Sequence, residues 1–184
     1  MKNYFIIHGS FGSSQENWFP WLESELEKKC VWGGGKVFNL DFPTGEDKQN
    51  YKNWEMVLNS VKRFINEESV FFCHSISCIF LVKYLIKNNL KIGKAIFVSG
   101  FNNYLGLGDE FDYVNCTMYT NRLNEFEHHA KERVCYYSTN DPYVKLDKLK
   151  EFASLIKAKE ICDSSSGHYN TAAGFTKFED LLKY

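Results

Sequence analysis

The sequence lacks the features of several large protein classes. Lys and Arg together number 22 against 23 Asp and Glu, so the formal net charge is −1 and no basic surplus exists. A protein that binds nucleic acid needs such a surplus to displace counterions from phosphates, so we expect no nucleic-acid partner. No apolar run approaches the roughly 20 residues of a membrane span, so we expect a soluble protein with no membrane partner.

Signals for secretion and for disulfide chemistry are also missing. Only four apolar residues follow one another near the N-terminus, from Tyr4 to Ile7, whereas a secretory signal needs about 7–15. The six cysteines are scattered and form no C-x-x-C pair, which disfavours a zinc site and a redox dithiol. Reduced thiols in a cytoplasmic protein are the expectation that follows.

No pattern for a metal or a cofactor is present. Gly33-Gly34-Gly35 precedes a strand and lacks the following Lys and Ser or Thr, so it is not a phosphate loop. His128 and His129 lack Asp, Glu or Cys at ligand spacing, and a solvated helix face is the interpretation we favour. We expect neither a metal nor a cofactor.

What the sequence does contain is an alternation of short apolar runs with longer helical stretches. Because a domain typically takes about 100–200 residues, residues 1–184 are predicted to form a single domain. The predicted strands cover 4–7, 36–40, 69–73, 94–98, 133–137 and 159–162. The predicted helices cover 18–29, 51–65, 76–87, about 145–157 and about 171–183, and residues 101–130 are expected to be irregular.

This alternation predicts an α/β fold with a mainly parallel central sheet. Strands that alternate with helices of ten or more residues require crossover connections, which join parallel strands. The strands are almost continuously apolar, as expected of a sheet covered by helices on both faces, in three layers. In such a sheet, functional residues gather beyond the carboxyl ends of the strands.

Ser75 is the first candidate at that edge, because it lies between the end of the third strand and the start of the third helix. This is the position of the nucleophile elbow, G-x-S-x-G, whose tight turn needs small residues two before and two after the serine. Cys73 and Ser77 occupy those positions; both are small, and neither is glycine. The alternative interpretation is that Ser75 caps the following helix.

Asp141 and His168 also follow predicted strands, the fifth and the sixth. Asp141 precedes Pro142, and this pair is also common in turns before helices. A single histidine in a loop is often merely solvated, and Asp163 is a weaker candidate acid because it belongs to a different loop. The order Ser, Asp, His is nevertheless that of the α/β-hydrolase triad. The joint occurrence of three such residues favours catalysis.

The sequence resembles the retinoblastoma-binding-protein-9 type of small serine hydrolases. The resemblance is carried by Ile6-Ile7-His8-Gly9, Asn17-Trp18-Phe19-Pro20-Trp21-Leu22, Cys73-His74-Ser75, Val98-Ser99-Gly100-Phe101, Asn140-Asp141 and Gly167-His168. It implies a compact α/β-hydrolase fold with a minimal cap, with Ser75 as nucleophile, Asp141 as acid and His168 as base. The sequence departs from the family pattern at Ser77, where relatives usually carry glycine.

Catalysis of this kind needs donors for an oxyanion. The backbone N–H of Ile76, at the start of its helix, is the first predicted donor. The second is expected in the loop after the first strand, from the N–H of Ser10 or alternatively of Phe11. His8 is predicted to be a structural part of that loop, and His74 is predicted to pack away from the site.

The expected function is that of a carboxylesterase-like serine hydrolase acting on small esters through an acyl-enzyme at Ser75. Phe11, Trp18 and Phe101 are predicted to line the substrate pocket, together with Tyr104, and residues 101–130 are predicted to form a short cap. The alternative is a protein-binding module of the same fold, with a protein partner and weak or no catalysis. Acyl transfer to an acceptor other than water ranks third.

Overall fold

The computed structural model describes residues 1–184 apart from the side chain of Trp32. Six strands form one sheet in the order β2-β1-β3-β4-β5-β6, and every neighbouring pair is parallel. The predicted α/β class with a parallel sheet is therefore confirmed. The strands are β1 Tyr4–Ile7, β2 Val37–Leu40, β3 Val70–His74, β4 Ile92–Val98, β5 Ala130–Ser138 and β6 Lys159–Asp163.

The helices connect these strands and cover both faces of the sheet. The α-helices are α1 Phe19–Gly33, α2 Tyr51–Ser60, α3 Ser77–Asn88, α4 Asp109–Asn115 and α5 Leu146–Leu155. Short 3-10 helices span Lys62–Phe64, Cys116–Met118, Leu123–His128, Thr171–Ala173 and Glu179–Lys183. Among the described helices, none has the length and the apolar character needed to cross a bilayer.

Alternate residues of each central strand enter different halves of the core, because successive side chains of a strand point to opposite faces. Phe71 and Cys73 pack on the face covered by α2, α3 and α5. Val70 and Phe72 pack on the other face, against α1 and the C-terminal segment. This double cover explains why the strands are apolar throughout.

Two helix boundaries follow from local chemistry. Helix α1 extends beyond the predicted Lys29 and ends where Gly34, with a φ of 70°, donates its N–H to the carbonyl of Cys30 at 2.9 Å. Glycine adopts this left-handed conformation readily, which makes it a common helix terminator. Helix α2 begins after Asn50, whose side chain accepts from the N–H of Asn53 at 3.0 Å, as in a typical N-cap.

Two predictions about secondary structure were wrong. The continuous helix predicted over 171–183 is replaced by two 3-10 helices, because Gly174 adopts a φ of 87° and breaks the run. Phe178 then packs face to face on Tyr169, with ring centroids 5.0 Å apart. The irregular region predicted over 101–130 contains α4, which follows Gly108.

Candidate functional site

Ser75 lies directly after β3, where the chain reverses into α3. Its φ is 59°, in the left-handed region that residues other than glycine rarely adopt. The Ser75 N–H donates to the carbonyl of Val98 at 2.8 Å, and its carbonyl accepts from the N–H of Cys78 at 3.1 Å. Helix α3 is capped at Ile76 without any side-chain hydrogen bond, so Ser75 is not a capping residue.

Ser77 stabilises this turn with its hydroxyl group. The hydroxyl accepts from the N–H of His74 at 2.8 Å. It also lies at donor distance from the carbonyls of Ile7, at 2.9 Å, and of His74, at 2.8 Å. The side chain that replaces glycine here therefore ties the junction of strand and helix to β1.

The loop after β1 approaches the turn closely because residue 9 is glycine. A Cβ on Gly9 would lie 2.9 Å from the Cβ of Ser75, a separation that real Cβ atoms essentially never show. His8 holds the same loop: its Nε2 accepts from the N–H of Phe42 at 2.9 Å, so Nδ1 carries the proton and donates to the Gly9 carbonyl at 2.8 Å. Burial lowers the pKa of His8, which favours this neutral form.

Asp141 follows β5, His168 follows β6, and their side chains meet. His168 Nδ1 lies 2.7 Å from Asp141 Oδ2; since a carboxylate accepts, Nδ1 is the donor, and Nε2 makes no hydrogen bond to a described residue. The other carboxylate oxygen accepts from the N–H groups of Tyr143, at 2.9 Å, and Val144, at 3.0 Å. Burial raises the pKa of Asp141, but the interaction with His168 and these N–H groups outweigh it and hold the pKa below its usual value.

His74 binds the backbone of the loop that carries His168. Its Nε2 donates to the His168 carbonyl at 2.8 Å, and the two rings are 4.8 Å apart. Burial lowers the pKa of His74 to about 3, and the charge on His168 acts in the same direction. The ring packs against Trp18 and Phe19, but the prediction that it points away from the site was wrong, because His74 also contacts His168 and lines the cavity described next.

Ser75 and His168 line one cavity of about 680 Å³. Ser75 Oγ makes no hydrogen bond to any group that the structure describes, so the serine and the imidazole share the cavity without being bonded to each other. Such bonds are often long in unliganded sites and shorten when a substrate binds. The structure thus brings the three predicted triad residues to one place and bonds two of them.

The two predicted oxyanion donors, the backbone N–H groups of Ile76 and Ser10, donate to no described residue. The N–H of Phe11, the alternative to Ser10, donates to Gln49 Oε1 at 2.9 Å and is therefore occupied. Ile76 stands at the N-terminal end of α3, where the helix dipole favours negative charge. Because neither N–H donates to a described residue, both remain candidates for the predicted oxyanion donors.

Of the predicted pocket residues, Phe11 lines the cavity and is half-exposed. Trp18 and Phe101 do not line it, and this part of the prediction is corrected because both side chains are completely buried. Trp18 donates its indole N–H to the carbonyl of Tyr169 at 3.0 Å. Phe101 packs behind the cavity wall against Phe111, with ring centroids 6.4 Å apart. Tyr104, also proposed for the pocket, is exposed outside the cavity.

The apolar wall of the cavity was not foreseen from the sequence. It comprises Leu105, Leu107 and Phe111 from the segment between β4 and β5, and Tyr143 and Val144 after β5. The acidic first turn of α4 was a sequence signal for that helix, because acidic side chains are enriched at helix starts. Residues of the segment that was predicted to form a short cap therefore line the cavity, and this segment contains the helix α4.

Asp163 lies near the site without contacting His168. Its carboxylate accepts from the N–H of Ser166 at 2.9 Å, from the hydroxyl of Ser138 at 2.8 Å and from the hydroxyl of Tyr169. Burial raises the pKa of Asp163, and these hydrogen bonds more than offset it, so the pKa is well below its usual value. Asp163 shapes the loop that carries His168, while Asp141 contacts the imidazole.

Within the described part of the chain, no group of three or more His, Cys, Asp or Glu could hold a metal ion. His128 is exposed, as expected. His129 was expected on the same solvated face, but it is buried and donates through Nδ1 to the carbonyl of Leu90 at 2.8 Å.

Known proteins of similar structure share this fold. The crystal structure of the ydeN gene product from Bacillus subtilis matches with a TM-score of 0.83 and 26% identity, covering 100% of this chain and 97% of that chain. Est1E from Butyrivibrio proteoclasticus, solved with ferulic acid bound, has a TM-score of 0.68 and 15% identity, over 100% and 89% of the two chains. The esterase RhEst1 from Rhodococcus sp. ECU1013 has a TM-score of 0.66 and 12% identity, over 98% and 87%. At their low identities, Est1E and RhEst1 show the fold alone.

Sequence comparison goes further than the fold. The YdeN protein of Bacillus subtilis (strain 168) is 28% identical over 185 residues, which cover 95% of this chain and 90% of YdeN. The family model described as serine hydrolase matches residues 4–184. Because that match takes in nearly the whole sequence, the chain belongs to the serine hydrolase family.

Proposed function

We propose that this protein is a carboxylesterase-like hydrolase that cleaves small esters through an acyl-enzyme intermediate at Ser75. The observation that carries the proposal is the 2.7 Å bond between His168 Nδ1 and Asp141 Oδ2, beside a cavity that also exposes Ser75. This bond leaves Nε2 as the acceptor that a serine nucleophile needs. We also propose that the protein is located in the cytoplasm and that, within the family, it is of the retinoblastoma-binding-protein-9 type.

The first half of the reaction acylates Ser75. Its hydroxyl attacks the ester carbonyl while His168 Nε2 takes the proton, because an unaided serine hydroxyl is a poor nucleophile. Asp141 stabilises the imidazolium that forms and keeps the ring in the required tautomer. His168 then protonates the alcohol as it leaves. In the second half, water attacks the acyl-enzyme with His168 as base, and the acid is released.

The tetrahedral intermediate in each half carries a negative oxygen. The N–H groups of Ile76 and Ser10 are the proposed donors to it, and both are without a described protein partner. Loss of one such donor typically raises the barrier by about 2.7–4 kcal/mol.

An ester with an apolar acyl group fits the cavity. Leu105, Leu107 and Phe111 give one wall an apolar surface, and the volume of about 680 Å³ exceeds that needed for an acetyl group.

Initial rates on nitrophenyl esters of increasing acyl length test the proposal. We expect turnover by the wild type and a loss of about 10⁴-fold in kcat for Asp141→Asn, because the wrong imidazole tautomer is then stabilised. Asp180→Asn is the control for loss of a carboxylate, since Asp180 is exposed, pairs with Lys183 and does not line the cavity, and it should keep the rate of the wild type. If the wild type turns over no ester in the series, or if Asp141→Asn loses no more activity than Asp180→Asn, the proposed function is wrong.

A further inference from the structure

Two buried amide side chains lie behind the loop that follows β1. Gln49, in the connection between β2 and α2, is 1% exposed, and Asn115, the last residue of α4, is fully buried. Neither lines the cavity. Primary amides removed from water are costly unless they are hydrogen-bonded, so their partners show what they hold in place.

The two amides form a relay between the loop and α4. Gln49 Oε1 accepts from the N–H of Phe11 at 2.9 Å, and Gln49 Nε2 donates to Asn115 Oδ1 at 2.8 Å. The same Asn115 oxygen accepts from the hydroxyl of Ser10 at 2.9 Å. Asn115 Nδ2 donates to the carbonyl of Phe111 at 2.9 Å.

The backbone groups at the two ends set the direction of this relay. The Phe11 N–H can only donate, so it must meet the oxygen of Gln49. The Phe111 carbonyl can only accept, so it must meet the nitrogen of Asn115. The nitrogen of Gln49 then donates to the oxygen of Asn115, so that each donor in the relay meets an acceptor.

The relay determines which backbone donor of the loop stays free. Phe11 has a φ of 54°, a strained conformation for a residue other than glycine, and Gln49 holds its N–H. Asn115 holds the side chain of Ser10. With its N–H bound to Gln49, Phe11 is excluded as an oxyanion donor, whereas the N–H of Ser10 has no described protein partner. Phe111, at the far end of the relay, lines the cavity.

We infer that Gln49 and Asn115 are positioning residues that orient the Ser10 N–H for oxyanion binding and couple it to the cavity wall at Phe111. The catalytic part of this inference rests on the proposed function. A misplacement of about 1 Å at a reacting group can cost about 100-fold in rate, so loss of the relay is expected to reduce kcat rather than raise KM.

Two variants test the inference. Gln49→Met removes the central amide, and Ser10→Ala removes the hydroxyl that donates to Asn115 but keeps the backbone N–H. Asn3→Leu is the matched control. Asn3 is a buried amide at the opposite end of β1, where it accepts from the N–H of Lys36 at 3.0 Å and donates to the carbonyl of Phe64 at 2.8 Å.

We expect Gln49→Met to lower kcat about 10- to 100-fold and Ser10→Ala about 3- to 10-fold, with KM nearly unchanged. Asn3→Leu should lose about as much free energy of unfolding as Gln49→Met, but it should keep the kcat of the wild type. The inference is overturned if Gln49→Met keeps the kcat of Asn3→Leu, or if Ser10→Ala keeps that of the wild type.

Hydrogen exchange separates this inference from the proposed function. The Phe11 amide should exchange at least about tenfold faster in Gln49→Met than in the wild type, while amides of β1 remain protected. Unchanged protection at Phe11 would contradict the relay even in an active enzyme. If the wild type hydrolyses no ester but Phe11 loses protection as expected, the proposed function fails and the relay stands.

Discussion

Two neighbouring strands of the sheet end in serines of the same backbone shape, yet only one lies in the candidate site. Ser75 follows β3 with a φ of 59°, and Ser99 follows β4 with a φ of 52°. Each donates its N–H at 2.8 Å to a carbonyl of the next strand, Ser75 to Val98 and Ser99 to Tyr136.

The surroundings of the two serines differ. Ser75 lines a cavity with His168, and α3 begins two residues later. Ser99 is fully buried and its hydroxyl has no partner among the described atoms. The next residue, Gly100, packs so closely that a Cβ there would lie 2.7 Å from Phe152. If Ser75 is the nucleophile that we propose, a left-handed serine at a strand end is not sufficient for that role, which also needs a helix, a cavity and a base.

The largest expected effect separates the two serines by activity. Ser75→Ala should lower kcat/KM for a nitrophenyl ester by about 10⁴-fold or more, because it removes the hydroxyl of the proposed nucleophile. Ser99→Ala should stay within about twofold of the wild type. Steady-state kinetics of the two variants check this, and equal losses in both would remove the distinction drawn here.

The residues two positions after the serines also differ: Ser77 has a hydroxyl that can hold the turn, and Phe101 has none. Ser77→Ala removes the hydroxyl that accepts from the His74 N–H and donates to a neighbouring carbonyl. A buried donor left without a partner costs about 1–3 kcal/mol, and we expect a loss of about 2–3 kcal/mol in the free energy of unfolding. Urea denaturation measures it. A variant as stable as the wild type would mean that Ser77 does not hold the turn.

His74 precedes Ser75, whereas Val98, which has no titratable group, precedes Ser99. The comparison therefore predicts that His74 makes the stability of the protein depend on pH. The pKa of His74 falls from 6.5 to about 3 in the folded protein through burial and the charge on His168. Below pH 6.5 the unfolded chain binds a proton that the folded chain does not, so stability decreases as the pH falls towards 3. Each pH unit in that window costs about 1.4 kcal/mol, or about 2 kcal/mol between pH 7.5 and 5.

The measurement is urea denaturation of the wild type and of His74→Val at both pH values. His8, whose pKa is also lowered by burial, contributes with the same sign in both proteins. The variant should therefore lose less stability on acidification, even though it is less stable at neutral pH. An identical pH dependence in the two proteins would contradict a buried neutral His74.

The smallest expected effect concerns the stability of Ser99→Ala. Because the Ser99 hydroxyl is buried without a described partner, its removal should change the free energy of unfolding by no more than about 0.5 kcal/mol, or stabilise the protein slightly. Thermal denaturation beside Ser77→Ala checks the contrast. A loss as large as that of Ser77→Ala would show that Ser99 has an unseen partner.

The strand positions and the placement of Ser75, Asp141 and His168 could be predicted from sequence because they depend on local signals. Apolar runs mark the strands of a doubly covered sheet, and a parallel sheet brings their carboxyl ends to one edge. Three polar residues that each follow a strand must then lie near one another.

Features that depend on distant partners could not be predicted. Gln49 and Asn115 are 66 positions apart, and neither has a local pattern that indicates a buried amide. Trp18 bonds to a carbonyl 151 positions away, which draws its ring into the core and out of the pocket. The packing of Phe178 on Tyr169, which lie on either side of Gly174 in the sequence, likewise has no local pattern that indicates it.

Labelling with a fluorophosphonate, followed by peptide mapping, tests most directly whether the environment makes Ser75 a nucleophile. The reagent phosphonylates a serine that a base activates, with loss of fluoride, whatever the natural substrate is. We expect one adduct, on Ser75, that is absent in Ser75→Ala and present in Ser99→Ala. Wild-type protein that stays unlabelled from neutral to mildly alkaline pH, or an adduct on another residue, would contradict the account.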